Sequence, residues 1–121
     1  MILTVTLPCI MAQMQHAIVR RPHGIVGTEM HPGAKLVDIS IDLSAVAPHD
    51  CPPVSLFRIA IRERAWLRTF DLRTGDAVAP GIVLAWLTTD PDEPMHAPGN
   101  REARFAVAGI AEPAEWWLED T

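Results

Sequence analysis

Cys51 could do covalent chemistry as a carrier thiol, because His49 and Asp50 directly precede it. A thiol beside an imidazole ionises more readily, and the resulting thiolate can carry acyl groups. Residues adjacent in sequence seldom converge on one point, however, and Pro52 and Pro53 stiffen the segment that follows. We therefore expect an inert loop cysteine, with an acyl-carrying thiol as the alternative.

Methionine and histidine occur together in three places, and this mixture of soft and borderline ligands is typical of copper sites. The residues concerned are Met11, Met14, His16, Met30, His31, Met95 and His96. Methionine more often fills gaps in an apolar core, so we expect core and surface roles instead. Asp90, Asp92 and Glu93 border a proline-rich stretch and predict a solvated loop. No G-x-S-x-G, Walker or dinucleotide motif is present, so we predict no metal, no catalytic site and no enzymatic activity.

Composition narrows the class of partner. The 121 residues carry a net charge of −5 and their arginines are scattered, so we expect no nucleic-acid partner. No apolar run reaches the roughly 18 residues of a membrane span, and the N-terminus lacks a signal-peptide pattern. Cys9 and Cys51 have no C-x-x-C spacing, and we expect two reduced thiols in a cytoplasmic protein.

The elements that position these candidate residues are predicted to be short strands. Eleven prolines and seven glycines interrupt the chain, and no stretch sustains a helical period beyond two turns. The sequence predicts an all-β sandwich or small barrel, with strands at 2–7, 17–20, 35–41, 56–61, 65–71 and 83–88. Alternating apolar and polar residues predict that Val37, Ile39, Ile41 and Leu43 face the core of a half-buried strand.

The strands belong to an internal repeat. Residues 17–42 recur 48 positions later, at 65–90, with the same alanine, arginine, two glycines, proline, leucine and aspartate in register. Both copies contain the pattern G-x-x-(M/V)-x-x-G-x-x-L, beginning at Gly27 and at Gly75. Glycine tolerates the positive φ of tight turns. Two copies are too few for a solenoid and predict two quasi-symmetric halves that close on each other.

The repeat also divides the chain. We expect a core β domain at 1–90, a proline-rich linker or loop at 91–102, and a C-terminal strand and tail at 103–121. The tail contains Trp116 and Trp117, whose side chains point to opposite faces if the segment is extended. We expect the tail to cover an open edge of its own domain, with docking to a partner or dimerisation as the alternative.

The repeated unit resembles the lipoyl/biotinyl carrier domain of 2-oxo acid dehydrogenase acyltransferases. The resemblance covers residues 3–88 and is carried by Leu7-Pro8, Met14, 17–20, 26–36 and 72–87. In that family each half of a flattened barrel contributes four strands, and a pseudo-twofold axis relates the halves. The resemblance therefore implies a lipoyl-like barrel-sandwich hybrid.

The family attaches lipoate or biotin to a lysine in a tight turn of the type E-T-D-K-A. Following the register outward from Leu36, Asp42 matches the aspartate of that turn and Leu43 stands in place of the lysine. The only lysine of the chain is Lys35, eight positions earlier, and about ten residues separate Leu43 from Val54 where the family has one or two. We therefore expect neither lipoate nor biotin on this chain.

Together these features predict a lipoyl-like module without the lipoylation lysine that acts through binding. The resemblance implies assembly near a 2-oxo acid dehydrogenase or another acyl-transfer complex, with a protein partner or a homodimer and no membrane. One alternative is a carrier that uses Cys51 or Lys35 for attachment. Another is a structural protein that dimerises through Trp116 and Trp117.

Overall fold

A computed structural model describes residues 1–10, 15–42, 54–95 and 100–110. These residues form ten strands: β1 (Ile2–Thr6), β2 (Ala17–Pro22), β3 (Glu29–Met30), β4 (Lys35–Asp42), β5 (Val54–Ile61), β6 (Ala65–Thr69), β7 (Ala77–Val78), β8 (Val83–Thr88), β9 (Asn100–Glu102) and β10 (Phe105–Ile110). The all-β prediction is confirmed. Among the described residues, none lies in a helix long and apolar enough to cross a membrane.

The strands form two five-stranded sheets. Sheet A has the order β3-β6-β8-β1-β9, and sheet B has the order β10-β5-β4-β2-β7. All neighbouring strands are antiparallel except β1 and β9. Apolar side chains from both sheets, such as Leu3 and Val19, belong to one buried cluster. The two sheets therefore make a sandwich around a single core.

The sequence repeat becomes a symmetry of strand pairing. The strands β1, β2, β3 and β4 of the first half correspond to β5, β6, β7 and β8 of the second half. Exchanging corresponding strands converts the order β3-β6-β8-β1 of sheet A into the order β7-β2-β4-β5 of sheet B. The first residues of β2, β3 and β4 lie 48 positions before those of β6, β7 and β8. The prediction of two quasi-symmetric halves is confirmed.

Backbone hydrogen bonds repeat in the same way and explain the repeated glycines. Gly27 N–H donates to the carbonyl of Leu67 at 2.7 Å, and Gly75 N–H donates to the carbonyl of Val19 at 2.7 Å. Each glycine turns the chain with positive φ, 91° and 97° respectively. L-residues with a side chain rarely adopt this conformation, so glycine is needed at the same place in both halves.

The strand β4 is buried on both faces, which corrects the prediction of a half-buried strand. Val37, Ile39 and Ile41 are buried as predicted, but Asp38 and Ser40 on the other face are buried too. The physical reason is that β4 is the middle strand of sheet B, so side chains from neighbouring segments lie over its outer face, as those of Arg58 and His23 do at Asp38. The remaining residue of the predicted inward set, Leu43, lies outside the described residues.

The C-terminal segment adds one strand to each sheet. β9, made from the last three residues of the segment predicted as a linker, runs parallel to β1 at one edge of sheet A. The predicted strand after it is present as β10, antiparallel to β5 at one edge of sheet B. Between them Ala103 is buried, and its N–H donates to the carbonyl of Thr4 at 2.7 Å. The chain thus crosses from one sheet to the other at this point.

Candidate functional site

The connection between β4 and β5 is where the resemblance puts the attachment turn. The two strands pair from Lys35 opposite Ala60 to Asp42 opposite Val54. Leu43 is the next residue after Asp42, so it begins the connection of residues 43–53. Leu43 itself, together with Cys51, lies outside the described residues.

Lys35 lies at the other end of the same strand. It is the first of the eight residues of β4 and is exposed. At about 3.3 Å per residue, roughly 23 Å of strand separates Lys35 from Asp42. The only lysine of the chain therefore lies at the end of β4 opposite to the end from which residues 43–53 continue.

The other predicted site residues are dispersed where the structure describes them, and Met11, Met14 and His96 lie outside the described residues. Trp116 and Trp117 lie outside the described residues, and Cys9 is exposed just after β1. Met30 is buried in the core, as expected for a methionine that fills apolar space, while its neighbour His31 is exposed. Within the four described ranges, no group of three or more histidine, cysteine, aspartate or glutamate side chains is arranged to hold a metal ion.

The main polar cluster of sheet B centres on Asp38, which sequence reasoning missed. Arg58 of β5 donates from Nε to Oδ1 at 2.8 Å and from Nη2 to Oδ2 at 3.1 Å. His23, which follows β2, places Nε2 2.9 Å from Oδ2. The Asp38 side chain is fully buried, whereas those of His23 and Arg58 are 19% and 29% exposed. The carboxylate is therefore covered by the two side chains that bind it.

Opposing effects set the charge of Asp38. Burial alone would raise the pKa of its carboxyl group, because water no longer solvates the anion. The hydrogen bonds from Arg58 and His23 outweigh burial and hold the pKa of Asp38 below its usual range. The same pairing raises the pKa of Arg58. The cluster is thus an ion pair at neutral pH, with histidine as a third partner.

This arrangement is suited to holding strands together. Asp38 lies opposite Arg58 on one side and opposite Arg21 of β2 on the other. The three residues therefore form a row of charges across the middle of sheet B, with His23 beside it. Both carboxylate oxygens of Asp38 already accept hydrogen bonds. The cluster therefore links β4, β5 and the end of β2 on the face of the sheet that does not line the core.

A signal for this cluster was present in the sequence. Asp38 and Arg58 are charged residues in the middle of two otherwise largely apolar strands, and opposite charges of this kind favour cross-strand pairing. The signal did not identify the pair, because the register between β4 and β5 depends on a connection of eleven residues. His23 could not be assigned at all, since it lies outside any predicted strand.

A second ion pair fastens the C-terminal segment. Arg101 of β9 donates from Nη1 to Oε2 of Glu63 at 3.0 Å and from Nη2 to Oε1 at 2.7 Å. The backbone N–H of Arg104 adds a bond to Oε2 at 2.7 Å. The hydrogen bonds from Arg101 hold the pKa of Glu63 below its usual range, against an opposing effect of burial. Glu63 thereby connects the β5–β6 turn to the crossing between the sheets.

Two tryptophans lie on the outer face of sheet A. Trp66 and Trp86 are half-buried and point away from the core, because their neighbours Leu67 and Leu87 are core residues and successive side chains alternate. The guanidinium of Arg64 lies 5.4 Å from the centre of the Trp66 ring, within range of a cation–π interaction. This face therefore presents aromatic surface beside charge.

The loop before β3 exposes apolar side chains. Ile25 is 67% exposed and Val26 is 52% exposed. The equivalent loop of the second half carries Arg73 and Thr74 at the matching positions. The two loops therefore have equivalent positions in the two halves but different side chains, so the two halves present different surfaces.

No protein-family model matches the chain, and a search of curated proteins found no match.

Proposed function

We propose that the protein is a lipoyl-domain-like module that carries no prosthetic group and acts by binding other proteins. Its proposed setting is the assembly of a 2-oxo acid dehydrogenase or another acyl-transfer complex, as the resemblance implies. The alternation of strands between two quasi-symmetric halves supports the resemblance, since the family is built from halves of four strands each.

One observation carries the proposal. The β4–β5 ladder continues to Asp42 opposite Val54, which puts Leu43 at the start of the connection and Lys35 at the far end of the strand. Leucine has no nucleophile to accept an acyl group, and the one lysine is remote from the position that the family modifies. The proposed role is therefore binding rather than transfer.

Exposed apolar surface supports a binding role. Ile25 and Val26 are adjacent exposed apolar residues in a loop whose counterpart is polar, and contiguous exposed apolar surface is a mark of interaction sites. Trp66 and Trp86 add half-buried aromatic surface on sheet A. Tryptophan is enriched among the residues that contribute most to interface energy.

The carrier alternative is tested by the intact mass of the protein purified from its native host. We expect the mass given by the sequence, without an added lipoyl, biotinyl or acyl group. A mass excess that disappears in Lys35→Arg or in Cys51→Ser would assign carriage to that residue and contradict the proposal.

The binding role is tested by cross-linking and affinity capture from the same host. We expect subunits of an acyl-transfer complex to be captured, and a double variant Ile25→Ser, Val26→Ser to lose most of them. The matched control is Arg73→Ser, Thr74→Ser, which alters the equivalent loop of the other half. Equal capture by both double variants would count against the apolar loop as the binding surface.

A further inference from the structure

The strand β10 forms an edge of sheet B. Among the described residues it pairs with β5 alone, over all six of its residues from Phe105 opposite Ile61 to Ile110 opposite Leu56. Its sequence, F-A-V-A-G-I, contains no charged residue and no proline. Edge strands with these properties readily pair with another strand.

The other three sheet edges are protected. β3 and β7, at the edges of the two sheets, have two residues each. β9, at the remaining edge of sheet A, has three residues, among them Arg101 and Glu102. Short strands and charged side chains are common means of preventing edge pairing. β10 has neither protection.

The hydrogen-bond pattern identifies which backbone groups of β10 face outward. Arg62 N–H donates to the carbonyl of Arg104, just before β10, at 2.8 Å. The next N–H group, that of Ile61, points away from β10 and donates to the carbonyl of Ala34, just before β4, at 2.8 Å. Since hydrogen-bonded residues alternate along an antiparallel ladder, residues 106, 108 and 110 bond to β5. The N–H and C=O groups of Phe105, Val107 and Gly109 therefore point away from the sheet.

We propose that a second copy of this chain pairs with β10 in antiparallel orientation about a twofold axis at Val107. Val107 then lies opposite Val107 of the second copy, and Phe105 lies opposite Gly109 of the second copy. This register matches all outward-facing groups of the two strands in three pairs, each exchanging two hydrogen bonds. Two sheets B become one continuous sheet.

Side-chain packing favours this register. Phe105 and Val107 are partly buried against the core, and a paired strand would cover further apolar surface of both. A Cβ atom built at Gly109 would meet nothing within 4 Å, so there is room beside this glycine for the opposing Phe105 ring. The strand is uncharged, so the two copies do not repel each other at the contact. A twofold contact uses both edges and does not propagate into a fibre.

The test combines sedimentation with amide hydrogen exchange on the full chain over a concentration series. We expect a monomer–dimer equilibrium, with exchange at Phe105, Val107 and Gly109 slowing as concentration rises. Exchange at Ala106 and Ala108 should be slow throughout, because these residues bond to β5. The variant Gly109→Pro removes an outward donor without removing a bond to β5, and should shift the equilibrium to monomer while keeping the melting temperature that the wild type shows at concentrations where it is monomeric.

The matched control is Gly109→Ala, which keeps the donor; its methyl group takes only part of the space beside the opposing Phe105 ring, so this variant should retain most of the dimer. A monomer at every concentration would overturn the proposal, and so would protection of Phe105, Val107 and Gly109 that does not depend on concentration. The latter would indicate that the chain covers its own edge. A dimer that persists in Gly109→Pro would place the interface elsewhere. None of these outcomes depends on whether the chain carries a prosthetic group, so they are independent of the proposed function.

Discussion

Asp38 and Arg58 face each other across β4 and β5 and share two hydrogen bonds, 2.8 Å from Nε to Oδ1 and 3.1 Å from Nη2 to Oδ2. Two parallel contacts fix the planes of the guanidinium and the carboxylate relative to each other. Because the pair lies in the middle of sheet B, it also resists sliding of one strand along the other.

Replacing the charge of Asp38 should destabilise the fold. In Asp38→Asn, Arg58 loses its counter-ion, and we expect a loss of about 2 kcal/mol in the free energy of unfolding. This loss is smaller than the loss on breaking a fully buried ion pair, because Arg58 is partly exposed and water solvates part of its unpaired charge. Urea unfolding measures the change. Ser40→Ala, a buried polar change on the same strand, is the control, and an equal effect of the two variants would contradict a special role for the ion pair.

The same pair predicts a dependence of stability on pH. The folded-state pKa of Asp38 is lowered from its ordinary value of 3.8, so its contribution is complete above that pH and is lost as pH falls through the folded pKa. The wild type and Asp38→Asn should therefore differ most near neutral pH and converge in acid. Unfolding midpoints measured from neutral to acidic pH check this. A constant difference across the series would show that Asp38 does not titrate in this way.

The glycines at the start of the repeated pattern should be equally sensitive to substitution. Gly27→Ala and Gly75→Ala each place a side chain at positive φ, and we expect each to cost about 1 kcal/mol of stability. A Cβ meets nothing within 4 Å at either site, so the cost is one of backbone conformation alone. Thermal unfolding measures it. Gly109→Ala, with equal space and no positive φ, should show no loss.

Removing Arg101 should loosen the crossing between the two sheets. In Arg101→Ala, Glu63 loses its bidentate partner, and we expect faster amide exchange at Ala103 while the rest of the core keeps its protection. The control is Arg104→Ala, because only the backbone N–H of Arg104 bonds to Glu63. Equal acceleration in both variants would indicate that the crossing is held by something other than the Glu63–Arg101 pair.

A lysine at position 43 should not by itself make the chain a carrier. We expect Leu43→Lys to remain unmodified by a lipoate ligase, since the family's enzymes recognise a compact turn and residues 43–53 form a long connection. A second variant that also replaces 43–53 by a short turn containing Asp-Lys-Ala should accept lipoate. Intact mass measures both. Modification of the single variant would contradict the importance of the connection, and failure of the folded short-turn variant would count against the family resemblance.

Much of the fold could be predicted from local patterns. The alternation of residues 37–41 and the glycines Gly27 and Gly75 led to the correct strand and turns, because side-chain alternation and positive φ are properties of a few adjacent residues. The two-residue strands β3 and β7 were not predicted. They exist only because each pairs with a strand of the opposite half, β6 and β2 respectively.

By itself, then, the sequence determined the β class, the duplication and the presence of leucine rather than lysine at position 43. Only the tertiary structure decided that Asp38 is buried with Arg58 and His23, and that Phe105, Val107 and Gly109 direct their backbone groups away from the sheet. The physical reason is that burial and edge position depend on which strands become neighbours. That choice is made by contacts between residues far apart in the chain, and no local pattern contains it.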